Sequence, residues 1–288
     1  MTTEGRSRRG RGVRIADALR ANTWSTAAGA VLLAILAIAA VVPLASTVSP
    51  ETQDFRSLLQ PPSLAHPVGT DDLGRDVFLR LAYGARISLL IGVAATAGAT
   101  IAGAILGLAA GYLGGRTDVV VMRFTDVLLA FPTLLLAVAI VGTLGPSLAN
   151  ATLAISLVIV PRFSRLVRAE AMRIRAEEFI TAAVAVGLPS RRIILRHILP
   201  NLTSVVVVQF SLSVAASMLS EAGLSFLGLG VPPPTPSWGT MLRSGYPFLD
   251  RAPWIAFGAG LALTTTVVTF SMLSDLVRDL LDPRLRHR

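Results

Sequence analysis

Apolar residues in this chain gather into long runs, with polar and Arg-rich stretches between them. A helix needs about 20 mostly apolar residues to cross the hydrocarbon layer of a bilayer. Six runs approach that length: 24–44, 87–110, 119–141, 148–160 with an extension to about Leu166, 202–219 and 254–273. The pattern predicts an all-α polytopic membrane protein with six transmembrane helices and both termini on one side. It divides the chain into a basic tail, 1–23, and a first anchor helix, 24–46, followed by a far-side segment, 47–85. A core of five spans follows, 86–278, containing a long loop, 161–200, and then a short tail, 279–288. The first run exceeds the roughly 7–15 apolar residues of a signal peptide, so it is expected to stay as an anchor.

Composition agrees. Hydrophobic residues make up 53% of the chain and charged residues 15%, against about a quarter charged in soluble domains. Cysteine is absent, which excludes disulfides and thiolate metal sites. All 26 basic residues are arginine. Without lysine the chain has neither a P-loop lysine nor a Schiff-base amine, so any ATP is bound by another polypeptide. The net charge of +9 could suggest nucleic acid. Its distribution argues otherwise: with the N-terminus placed inside, 20 arginines fall on the inner side and six (Arg56, Arg75, Arg80, Arg86, Arg243, Arg251) outside. That asymmetry orients the protein with cytoplasmic termini. It makes anionic lipid, not nucleic acid, the neighbour of the charge.

The span interiors are nearly free of ionisable groups. Arg123 and Asp126 lie near the start of the third run, and His66, His197 and His287 fall in loops or tails. Ion-coupled carriers place acids or histidines at mid-membrane, so that class is disfavoured. The second run carries Gly92, Ala95, Gly98, Ala102, Gly103, Gly107 and Gly111. Such small residues let helix backbones approach closely.

The loop 161–200 is too long and too charged for a simple connector. Arg162 to Arg175 extends the fourth span. Glu177-Glu178 followed by Phe179, Ile180, Ala182, Ala183 and Val186 predicts a short helix, stopped by Gly187 with Pro189 two residues on. Ala182 and Ala183 offer a flat surface that another protein can approach. By spacing alone, this helix could equally lie on the membrane surface without a partner.

On the opposite side, Thr70 or Asp71 is expected to cap a helix whose apolar side is Val77, Phe78, Leu81 and Ala82. Asp71, Asp72 and Asp76 lack the spacing and closing glutamate of a calcium loop. Between Ser220 and Gly245, three consecutive prolines and several glycines forbid a continuous helix. Phe226, Leu227 and Leu229 make that segment too apolar to dangle, so it is expected to fold back on the bundle. Glu221 is either a pathway residue or a hydrogen-bond anchor for this segment, and the anchor is favoured.

Thr181-Ala182-Ala183, then Gly187, then Leu199-Pro200 resembles the "EAA" loop of ABC-importer permeases. Three further stretches resemble the second, C-type permease of the dipeptide/oligopeptide/nickel subfamily. They are HPVGTDDLGRDVFLRLAYGARISL, the Glu221–Val231 run with its Pro-Ser-Trp-Gly, and DLVRDLLDPRLRHR. The resemblance implies a type I ABC importer permease fold with a cytoplasmic coupling helix, in a bacterial inner membrane. It implies coupling through Glu178, Thr181, Ala182, Ala183, Gly187, Leu188, Arg191 and Arg192. Glu221, Phe226, Leu227 and Trp238 become candidates for the translocation path or outside gate. The implied partners are a second permease subunit, two ATPases that hold ATP and magnesium, and an external binding protein. No catalytic or metal residue is expected in this chain. Thr181 stands where the family pattern has glutamate, so Glu178 is expected to replace any salt bridge made there. Peptides are the expected cargo; nickel or another small solute of the subfamily is the alternative, as is a membrane-assembly protein outside the ABC class.

Overall fold

The structure is a computed structural model that describes residues 23–281; the basic tail and the last seven residues lie outside it. Ten helices cover most of the described chain. Helix α1 (Thr23–Ala45) is the anchor. Helix α2 (Val77–Leu108) continues through a π-helical turn, Ala109–Leu113. Helices α3 (Gly115–Leu129) and α4 (Thr133–Leu144) follow, then α5 (Leu148–Arg175) and α6 (Glu178–Ala185). Helix α7 (Ser190–Ile193) passes through a π turn, Ile194–Ile198, into α8 (Leu199–Phe226). Helices α9 (Trp238–Gly245) and α10 (Pro253–Leu281) complete the set.

Five helical segments are long and apolar enough to cross a membrane, and a sixth arises if α3 and α4 count as one span. The expected straight third span, 119–141, is therefore corrected: α3 and α4 meet at 90°. The break lies at Ala130-Phe131-Pro132, where Pro132 (ψ 130°) precedes the first residue of α4. A proline disfavours helical geometry in the residue before it and lacks the amide needed to continue a helix. The other runs are longer than predicted. Helix α2 begins ten residues before 87, while α5 runs unbroken to Arg175, the extension of the fourth span that was expected. Helix α10 passes 278, the expected end of the core.

The bundle is assembled around α2. Its glycines recur every four residues at 103, 107 and 111, and all three face α5. A β-carbon at Gly107 would lie 2.5 Å from the Ser164 carbonyl oxygen, and one at Gly111 would lie 2.7 Å from that of Arg168. The small residues thus serve close packing, with Ile91, Ala95, Ala99, Ala154, Ile155 and Phe163 filling the core between α2, α5 and neighbouring helices. Gly92 meets Met218 of α8 in the same way. Acids on α3 are paired across to α5: Asp126 with Arg165 at 2.6 Å, and Asp118 with both forks of Arg168.

The far-side segment forms a folded cap. Asp71, 1% exposed, accepts from the backbone of Arg75 at 2.9 Å and from its Nε at 2.6 Å. The buried Arg80 lies 3.5 Å from the same carboxylate and donates to the Pro50 carbonyl at 3.1 Å. Trp254 of α10 ties the cap to the bundle by donating to the Thr70 carbonyl at 3.0 Å. The expected helix cap is corrected. Asp76, not Thr70 or Asp71, caps α2, accepting from the Leu79 amide at 2.9 Å. Thr70 and Asp71 are consumed by cap contacts instead.

Candidate coupling face and gate

Helix α6 has two faces. Ile180 and Ala183, one helical turn apart, are buried at 1% and 7% exposure among Tyr112, Val167, Ile174, Ile193 and Ile198. That burial locks α6 onto α5 and the end of α2. The opposite face presents Thr181 and Ala182, and Phe179, Val184 and the capping residue Val186 are exposed along its flanks. The expectation that Ala182 and Ala183 form one open surface is corrected, because Ala183 faces inward and only Ala182 is exposed. The neighbouring Ala183 and Val184 carbonyls accept from Leu188 and Gly187 at 3.1 and 2.9 Å. Gly187 ends the helix with φ 77°, the left-handed conformation that suits glycine at a helix stop. Leu188 is half-buried, while Arg191 and Arg192 are exposed on α7.

Glu178 is exposed and forms no salt bridge among the described residues; Arg173 is taken by Glu170 and Glu177 at 2.8 and 3.1 Å. Two residues that the sequence reading missed support the face from beneath. Arg175 lies over the Tyr112 ring at 5.5 Å, a cation–π contact joining α5 to the π turn after α2. Both line a cavity of about 490 Å³ under α6 that also touches Thr181, Val184 and Leu188. An aromatic followed 63 residues later by an arginine carries no local signal of this pairing.

At the other end, α8 runs on to Phe226, so the break expected from Ser220 begins only at Gly228 (φ 86°). The segment then returns to the bundle, as expected. Trp238, 2% exposed, donates its Nε1 hydrogen to the Leu81 carbonyl at 3.1 Å. Its backbone amide donates to Ser88 Oγ at 3.2 Å. Glu221 is fully buried and accepts from Ser88 Oγ at 3.0 Å and from Ser225 Oγ at 2.7 Å. Ser237 Oγ reaches Ser225 Oγ at 3.4 Å and also caps α9. Glu221 and Trp238 are thus interior to this chain, whereas Phe226 and Leu227 are exposed at 41% and 55%. Among the described residues no three metal-ligating side chains converge.

A multi-pass helical bundle, a short amphipathic helix held on its basic end and a refolded segment at its other end define a membrane transport subunit. The chain belongs to the family of binding-protein-dependent transport system inner membrane components, whose model matches residues 103–287. It is 45% identical to a dipeptide transport system permease protein of Alkalihalophilus pseudofirmus, over 89% of this chain and 84% of that one. A di/tripeptide transport system permease protein of Pseudomonas aeruginosa is 41% identical, over 89% and 86%. A glutathione transport system permease protein of Pectobacterium atrosepticum is 40% identical, over 91% and 87%. Membership makes this chain a permease subunit of an ABC importer, a transport component and not an enzyme, whose ATPase and binding protein are separate polypeptides.

Proposed function

We propose that this chain forms half of the translocation path of a bacterial importer for di- or oligopeptides, paired with a second, related permease. Both termini lie in the cytoplasm, a reading supported by the arginine asymmetry. Helix α6 is then the coupling helix, seated in clefts of ATPases that hold ATP and magnesium. One observation carries this reading: α6 buries Ile180 and Ala183 in its own bundle while leaving Phe179, Val184 and Val186 exposed along its flanks. Three exposed apolar side chains on a short, rigidly held helix fit a protein groove.

Closure of the ATPases on ATP pushes α6. Its inward face passes the displacement to α5 and α2, and the bundle rocks to face outward. Thr181, Ala182, Gly187, Leu188, Arg191 and Arg192 shape the contact, with Glu178 at its edge and Ala183 anchoring it from within. Glu221 and Trp238 hold the outer segment as one unit, so that Phe226 and Leu227 sit at its edge as gate residues. The binding protein delivers cargo at that end.

The test is a detergent pull-down of this chain from its native membrane with mass spectrometry. Two P-loop ATPases, a second six-span permease and a peptide-type binding protein are expected. Recovery of the chain alone, where other transporters survive intact, refutes the reading.

A further inference from the structure

Where α1 gives way to the cap, a pocket of about 760 Å³ opens between the 46–51 turn, α2 and the Thr235-Pro236 stretch of the refolded segment. That volume suits a small-molecule ligand. Its wall is held firmly. The buried Arg80 donates to the carbonyl of Pro50, the Glu51 amide donates to Ser49 Oγ at 3.2 Å, and Tyr83 donates its hydroxyl to the Pro43 carbonyl at 3.3 Å. Ile87 and Leu90 give it an apolar floor.

Two opposite charges line this one pocket, Glu51 and Arg86. Neither forms a salt bridge among the described residues, with each other or with any other group. Glu51 feels the nearby Arg80, but Arg80 is already engaged by Asp71 and Pro50. Arg86 is exposed at the edge of the apolar run of α2, where its guanidinium is open to an incoming anion. A carboxylate and a guanidinium that share a pocket yet stay apart leave room for a ligand carrying both complementary charges.

We propose that this pocket binds the cargo as a zwitterion at the outer mouth of the path, with Arg86 taking the terminal carboxylate of a short peptide and Glu51 its terminal ammonium. The inference rests on the importer reading above and adds to it a subsite in the permease itself. A free metal cation lacks the carboxylate that Arg86 requires, and an anionic headgroup without an amine, such as phosphatidylglycerol, leaves Glu51 unserved.

The test uses the complete importer with its binding protein in liposomes. Uptake of radiolabelled di-alanine, N-acetyl-di-alanine and di-alanine amide is measured, each rate normalised to binding-protein occupancy. Wild-type protein is expected to favour di-alanine over either blocked form by roughly tenfold, the worth of one charge-assisted hydrogen bond. Arg86→Gln is expected to lose the preference against the amide and Glu51→Gln that against the acetylated form, with Arg86→Lys restoring most of the first. Variants that keep both preferences, or lower all three rates equally, overturn the subsite. A defect in Arg86→Gln or Glu51→Gln that appears only with phosphatidylglycerol or phosphatidylethanolamine present assigns the pocket to lipid and also overturns it. A wild-type importer that moves no di-alanine, with the binding protein engaged, refutes the peptide reading itself.

Discussion

Ser88 donates its hydroxyl hydrogen to the carboxylate of Glu221 at 3.0 Å, across 133 residues of sequence and between two membrane helices. The same hydroxyl oxygen accepts from the Trp238 amide, so a single serine joins α2, α8 and the start of α9. Leaving buried polar groups unpaired costs about 1–3 kcal/mol each. Glu221→Ala strands Ser88 and Ser225 and is expected to lower stability by roughly 3 kcal/mol on that basis. Glu221→Gln keeps the shape and is expected to cost about 1 kcal/mol. Thermal unfolding in detergent reads both, and a Ser88→Ala/Glu221→Gln cycle with no coupling energy would break the proposed linkage.

Gly107→Ala puts a methyl group into the α5 backbone, 2.5 Å from the Ser164 carbonyl oxygen. Overpacking of this kind costs about 1–3 kcal/mol. Gly142→Ala has nothing within 4 Å and is expected to be silent. Comparing their melting temperatures separates the close-packing role of α2 glycines from a general intolerance of substitution.

Gly187 has open space around it, so only its positive φ resists a side chain. Gly187→Asn, which tolerates that geometry, is expected to retain transport. Gly187→Val is expected to insert normally but to uncouple ATP hydrolysis from uptake. Undiminished uptake in Gly187→Val removes the coupling assignment of α6.

Asp72 in the cap has its carboxyl pushed up from the usual carboxylate range by burial and by the neighbouring Asp71. A raised folded-state value means that the cap holds this proton more tightly than the unfolded chain does. Its contribution therefore favours the fold at low pH and falls away as pH rises through the folded value. Asp72→Asn is expected to raise the melting temperature at pH 7, with the gain shrinking toward pH 4. A gain that is equal at both values contradicts this.

Phe179→Ala and Val186→Asp on the exposed face of α6 leave the Ile180–Ala183 anchor untouched. Both are expected to leave folding intact and to reduce ATPase co-purification severalfold. Ile180→Asp, by contrast, is expected to destabilise the loop itself.

The spans were legible because a bilayer imposes a length filter that local composition answers directly. Even the bend of the third run was written in Phe131-Pro132, although hydropathy alone smooths over it. The cap of α2 was expected at Thr70 or Asp71, and Asp76 takes it. Which of them caps the helix depends on Arg75 and Arg80 claiming Asp71, a matter of tertiary pairing. The inward turn of Ala183 was hidden for a different reason. Residues 179, 180, 182, 183, 184 and 186 are all apolar, so only Glu178 and Thr181, one turn apart, mark the outward side of α6. The Glu221 network lies further still from local sequence, since its partners come from residues 88, 225 and 237.

Helix α5 runs for 28 residues without interruption, and the buried Pro161 sits midway along it. At 1.5 Å per residue it is a rod of about 42 Å. The missing amide at Pro161 removes one rung of the hydrogen-bond ladder and makes that point the natural fulcrum. A tilt of a few degrees about it displaces each tip by roughly 2 Å, in opposite directions, given that length. The rod is clamped to α2 by glycine contacts on the basic side of this pivot, at Ser164 and Arg168. Under the coupling reading proposed above, leverage applied there would carry α2 along with it, turning a small push at one membrane face into a counter-swing at the other.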